Sequence, residues 1–113
     1  VFCSGKVYYQ LREHQEKNNS EHVALIRLER LYPFPTEEVQ QVLSQFPDAE
    51  IVWCQEEPRN MGAWPMMDEW LGGVLGGSPP RYIGRNVAAS PSTGSPRIHR
   101  EEQQKITDDV FQL

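Results

Sequence analysis

The chain has 113 residues and a formal net charge of −5. That is one domain, long enough to bury a core without disulfide or metal staples. The acidic balance argues against nucleic acid and an anionic membrane surface as partners, and no apolar run approaches the ~18 residues of a membrane span.

Residues 1–4 read as the end of a strand, and the sequence opens in mid-pattern at Val1-Phe2-Cys3, so a piece of a longer protein is expected. Ser4 is placed to cap a helix over residues 5–17 with Val7, Tyr8 and Leu11 on its inner face. The polar residues 16–21 read as a turn. Residues 23–28, VALIRL, are nearly continuous apolar, as expected of a strand covered on both faces. YPFP at 32–35 excludes helix, because each proline pushes its predecessor to extended geometry. Thr36 then caps a helix with Val39, Val42, Leu43 and Phe46 at i, i+3, i+4 and i+7, which Pro47-Asp48 breaks.

Residues 51–54, IVWC, form the next buried strand. Residues 61–75 are ambiguous. Trp64, Met67, Trp70 and Leu71 can line a short helix that the following glycines, at 72, 73, 76 and 77, end. RYIGR at 81–85 is a fourth strand, and NVAASPSTG at 86–94 is a loop. Ser95-Pro96 reads as cap and first residue of a last helix that buries Ile98, Ile106, Val110 and Leu113. Alternating strands and helices predict a three-layer α/β/α domain on a mostly parallel sheet of four to five strands.

Polar sites in such a sheet collect at the carboxyl ends of the strands. Three clusters fall there: Ser4-Gly5-Lys6, Gln55-Glu56-Glu57 and Gly84-Arg85. Adjacent strand residues point to opposite faces, so Glu56 and Glu57 do not converge as an acid/base pair. One carboxylate is expected in solvent and the other held by backbone N–H groups or an arginine. Ser4-Gly5-Lys6 before a helix, with Arg85, resembles an anion cradle but lacks the P-loop pattern. His14, His22 and His99 lack a spaced metal or nucleophile partner. REEQQK at 100–105 reads as a solvated helix face. Cys3 and Cys54 lack metal spacing and read as buried reduced thiols, which suits a reducing compartment. No complete active site emerges.

In order, CSGKVYY, VALIRLERLYPFP, WCQEEPRNMGAW, RYIGRNVAASPSTG and EEQQKITDDVF resemble the C-terminal domain of the E1 component of 2-oxoglutarate dehydrogenase, across essentially the whole chain. LYPFP and WCQEEPxNxGAW carry the specificity. The resemblance implies a transketolase-like parent enzyme, dependent on thiamin diphosphate and magnesium. Such an enzyme decarboxylates 2-oxoglutarate and succinylates a lipoyl group of E2, the dihydrolipoyl succinyltransferase, in the bacterial cytoplasm or mitochondrial matrix. The family's Gly-Asp-Gly metal–diphosphate motif does not occur here, so cofactor chemistry and catalytic residues are expected elsewhere, and the fragment alone is expected to be inactive. The resemblance implies contacts with the remaining domains, a second E1 subunit and E2. Gln55, Glu56, Glu57, Asn60, Gly62 and Trp64 are the expected interface. Tyr32, Phe34, Trp64 and Trp70 are the expected apolar patch. A 2-oxoadipate-specific E1 relative and a regulatory nucleotide- or acyl-CoA-binding module, for which Ser4, Gly5, Lys6 and Arg85 are the relevant features, are the alternatives.

Overall fold

The computed structural model describes all 113 residues. Strands and helices alternate as β1 (Phe2–Cys3), α1 (Val7–Asn18), β2 (Ile26–Arg27), α2 (Thr36–Ser44), β3 (Val52–Pro58), α3 (Trp64–Val74), β4 (Arg81–Arg85) and α4 (Pro96–Phe111). All pairings are parallel, in the order β2-β1-β3-β4. The path leaves β1 toward one edge and β3 toward the other. Strand order therefore reverses between β1 and β3, the place where open α/β sheets hold their sites.

Strand alternation divides the core in two. Cys3, Val52, Cys54 and Ile83 face α1 and α4, where Val7, Leu11, Ile106 and Val110 meet them. Phe2 and Trp53 face α2 and α3, against Val39, Trp64, Met67 and Leu71. Burying Trp53, Phe2, Leu11, Met67 and Leu71 almost completely contributes about 1.5–3 kcal/mol for each aliphatic or phenyl side chain. This is the three-layer α/β/α arrangement, on a sheet of four strands.

Several boundaries differ from expectation. Ser4 does not cap α1. Gly5 takes φ 78°, a left-handed turn that suits glycine, and Lys6 holds the cap position without a side-chain bond. The polar residues after 15 continue α1 to Asn18, where Asn19 at φ 50° ends it. Exposed pairs Arg12–Glu16 and Lys17–Glu13 lace that solvated face. Within 23–28 only Ile26–Arg27 pair as strand, and Ile26 is half-buried, because β2 is an edge with a single neighbour. In α2, Pro35 is the cap and Thr36 the first helical residue. Val39 alone is buried there, and Phe46 is 38% exposed.

Two further corrections concern the second half. Helix α3 carries Gly72 and Gly73 within it. It ends before Gly76 and Gly77, both at positive φ. Gly72 is buried against the backbone of Ser78 and Pro79. In α4, Ser95 Oγ accepts from Ile98 N at 3.3 Å and Pro96 follows, as expected. Ile98, however, is 40% exposed, and Thr107 is buried with Ile106 and Val110.

Candidate functional site

Strand β3 does not stop at Cys54 but runs through Gln55, Glu56 and Glu57 to Pro58. Its register against β4 shifts between Cys54 and Pro58, the irregularity that bulges commonly bring to functional edges. Gln55, 3% exposed, is the hub. Its Oε1 accepts from Trp53 Nε1 and from the backbone N–H of Trp64, both at 2.9 Å. Its Nε2, with two N–H groups to share, lies within hydrogen-bond distance of three carbonyls, those of Glu57, Pro58 and Met61, at 3.1, 3.0 and 2.9 Å. One buried amide thus folds residues 58–63 back onto the strand and fixes the start of α3. These bonds spend its donors and acceptor on the chain itself.

Glu56 and Glu57 point to opposite faces, as alternation requires. Glu56 Oε1 accepts from Gln103 Nε2 at 2.8 Å. Gln103 Nε2 also reaches Gln10 Oε1 at 2.8 Å, and Gln103 Oε1 accepts from Arg85 Nη2 at 2.8 Å. Arg85, 8% exposed, donates to the carbonyls of Glu56 at 2.6 Å and His99 at 3.3 Å, and pairs with Glu102 at 3.6 Å. The carboxylate expected to be held is therefore held by a side-chain amide, while the arginine grips the backbone beside it. Glu57 is exposed and lies over Gly62, where an added Cβ would stand 3.0 Å from its Oε2.

The loop after β3 is tied on both flanks. Asn60 Nδ2 donates to Ala88 O at 2.9 Å, and Ala88 N donates to Asn60 Oδ1 at 3.0 Å. Gly62 sits at φ 64°, a conformation that admits glycine without strain. Trp64 is 8% exposed and packs on Tyr82 at a centroid distance of 5.0 Å. Arg59 lies 5.6 Å from the Trp64 ring and 5.1 Å from the Tyr82 ring, within cation–π range. Burial pushes the Tyr82 phenol up to about 12, and its hydroxyl donates to Arg85 O at 2.7 Å. Gly84 must be glycine, because a Cβ there would meet the Tyr82 hydroxyl and stand 2.8 Å from Gln55 O.

Two clefts open at this end of the sheet. On the α3 side, about 340 Å³ is lined by Ser4, Gly5, Leu31, Trp53, Met66 and Trp70 among others, with Glu57 on its edge. On the α4 side, a polar cleft of about 110 Å³ gathers Lys6, Glu56, Glu57, Arg85, Ser92 and His99. The anion-cradle residues are therefore split. Lys6 and Arg85 share one cleft, whereas Ser4 and Gly5 line the other. The expected apolar patch forms in part: the Tyr32 and Phe34 rings lie 6.3 and 5.8 Å from Trp70. Trp64 is not in it, because its indole is buried beneath Tyr82.

The first 111 residues match the family described as 2-oxoglutarate dehydrogenase C-terminal. The chain belongs to this 2-oxoglutarate dehydrogenase C-terminal family. Proteins named 2-oxoglutarate dehydrogenase E1 component from Brucella anthropi, Brucella ovis and Brucella abortus are each 47% identical to it over 116 aligned positions. The alignment covers 98% of this chain and 12% of each relative, so the chain spans a small part of the length of the curated relatives it matches.

For this family domain, a thiamin diphosphate and magnesium set can be sought among its own side chains. No group of three His, Cys, Asp or Glu is placed to hold a metal ion, and Gly-Asp-Gly is missing from the sequence. The residues present do not fit that cofactor. No helix is long and apolar enough to cross a membrane. The sequence reading missed Gln103, which joins Glu56, Gln10 and Arg85. The signal was present: Gln103, Ile106, Thr107 and Val110 fall at i, i+3, i+4 and i+7, which puts Gln103 on the inner stripe of α4.

Proposed function

We propose that this chain is the C-terminal assembly domain of a 2-oxoglutarate dehydrogenase E1, docking through the carboxyl end of its sheet onto the rest of the enzyme. The observation that carries this reading is the match over residues 1–111 to a C-terminal family, with named relatives of which the alignment covers only 12%. The parent enzyme decarboxylates 2-oxoglutarate and transfers the succinyl group to the lipoyl group of E2 in the citric acid cycle. Thiamin diphosphate and magnesium, held by other domains, supply the carbanion chemistry. The partners are those domains, the second subunit of an E1 homodimer and E2, in a reducing compartment, the bacterial cytoplasm or the mitochondrial matrix.

Within that reading Gln55, Asn60, Gly62 and Trp64 are positioning residues that shape the docking loop, and Glu56 secures its strand. Glu57 is the member of the set that is free to meet a partner. The test uses the full-length enzyme. Glu57→Lys and Trp64→Ala are each expected to weaken domain docking or dimer assembly, seen by sedimentation and by earlier proteolytic release of the domain. Unchanged assembly together with unchanged turnover in both variants overturns the reading. The isolated 113 residues, given thiamin diphosphate, magnesium and 2-oxoglutarate, are expected to show no turnover above background.

A second reading, an anion-responsive regulatory role, draws on Lys6 and Arg85 sharing the polar cleft. Titration with phosphate and adenine nucleotides tests it. No amide shift at residues 4–6 up to millimolar ligand ends it.

A further inference from the structure

The cleft on the α3 side has a composition that specifies what fills it. Its apolar walls are Leu31, Trp53, Met66, Met67 and Trp70, and its volume of about 340 Å³ admits a large aliphatic or aromatic side chain. Met66 is 50% exposed and Tyr32 80% exposed beside it. A concave apolar surface continued by exposed apolar side chains is a place where another polypeptide sits.

The charged residue that lines the cleft is an acid, although Lys6 and Arg85 share the neighbouring polar cleft with it. Glu57 is exposed on the edge of the cleft. Glu69 follows Met66 by three positions on α3 and so shares its outer side. Neither carboxylate enters an ion pair, in contrast to Glu13, Glu16, Glu101 and Asp109 on the other helices. No lysine or arginine lines the cleft. An apolar pocket rimmed by unpaired carboxylates complements an apolar anchor flanked by a cation.

We propose that the cleft receives an apolar side chain from a Lys- or Arg-bearing segment of the same parent polypeptide, outside residues 1–113. The inference rests on the assembly reading and names the chemistry of its contact. The source follows from length: the chain accounts for 12% of its relatives, so most of the surface available to cover the cleft belongs to the rest of the same polypeptide. The sign follows from the two unpaired glutamates.

The experiment places a photo-reactive benzoylphenylalanine at position 66 of the full-length enzyme and identifies the crosslinked peptide by mass spectrometry. The expected product is one dominant crosslink to a peptide of the parent chain, with Lys or Arg within a helical turn of the attached apolar residue. Its yield is expected to fall about tenfold in the Glu57→Lys, Glu69→Lys double variant, and by less in the corresponding Gln pair. It should also fall between about 20 mM and about 500 mM salt. A dominant crosslink to the parent chain whose yield ignores both charge and salt overturns the cation-flanked anchor and leaves the assembly reading standing. A crosslink confined to E2 or to position 66 of a second copy overturns the same-chain source. No polypeptide crosslink overturns both the inference and the docking of this face.

Discussion

Glu56 and Glu57 are neighbours in sequence, yet they belong to two different regions. On the α4 side, Glu56 is caught in a network with Gln103, Gln10 and Arg85, where charge is buried and its partners are supplied from within. On the α3 side, Glu57 stands exposed at the edge of an apolar cleft whose lining holds no cation, and it enters no ion pair. A single strand step separates them. The contrast teaches that a pair of carboxylates is assigned by the layer each one faces, not by their adjacency. One layer is closed by its own residues, and the other leaves an acid and an apolar cleft exposed.

The largest way to test that division is pH. Cys3 and Cys54, neighbours in register on β1 and β3, lie in the closed α1/α4 layer, where burial pushes their thiols up to about 11 and about 12 from 9.0. The unfolded chain then releases these protons before the folded one does. Their contribution is fully present below pH 9.0 and is lost as pH rises through the folded values. Thermal melts are expected to drop steeply above that point, and Cys54→Ala should flatten the drop.

Next in size is Arg85→Met, which strands Gln103 Oε1 and the carbonyls of Glu56 and His99. It should cost about 3 kcal/mol in urea unfolding, as loss of one partner from a buried charge network does. Gln55→Leu strands Trp53 Nε1 and Trp64 N. It should cost about 2 kcal/mol, with water relieving part of the loss along the loop. The smallest effects discriminate best between the two regions. Glu56→Ala should lose about 1 kcal/mol, and Glu57→Gln should stay within about 0.5 kcal/mol of the parent, as surface changes do. Equal losses at 56 and 57 would erase the distinction between the two layers.

Much of this was legible in the residues. The apolar run IVWC and the short segment RYIGR placed β3 and β4, and strand alternation separated Glu56 from Glu57. The serine–proline start of α4 was readable because Ser95 needs nothing beyond its own helix to cap it. What was not legible depended on distant partners. Gln55 looked like an ordinary strand end because its five bonds go to residues up to nine positions away. Arg85 looked available for an anion because its partners come from β3 and from α4, and Gln103 was hidden in a charged run. Ser4 lost its capping role to a left-handed Gly5, a backbone choice that a propensity argument does not decide. The apolar run at 23–28 overstated β2, since edge position is a property of the sheet and not of the strand.

The clasp between Asn60 and Ala88 has a mechanical consequence. Its paired donor and acceptor bonds copy the reciprocal exchange between strands, so a side chain supplies one more rung after the β3–β4 ladder has ended. The two loops beyond those strands are thereby coupled, and a push on one is a push on the other. A surface stiffened in this way forfeits less conformational freedom when it is covered. Asn60→Ala should therefore speed amide exchange in both loops at once, although residues 60 and 88 are far apart in the chain.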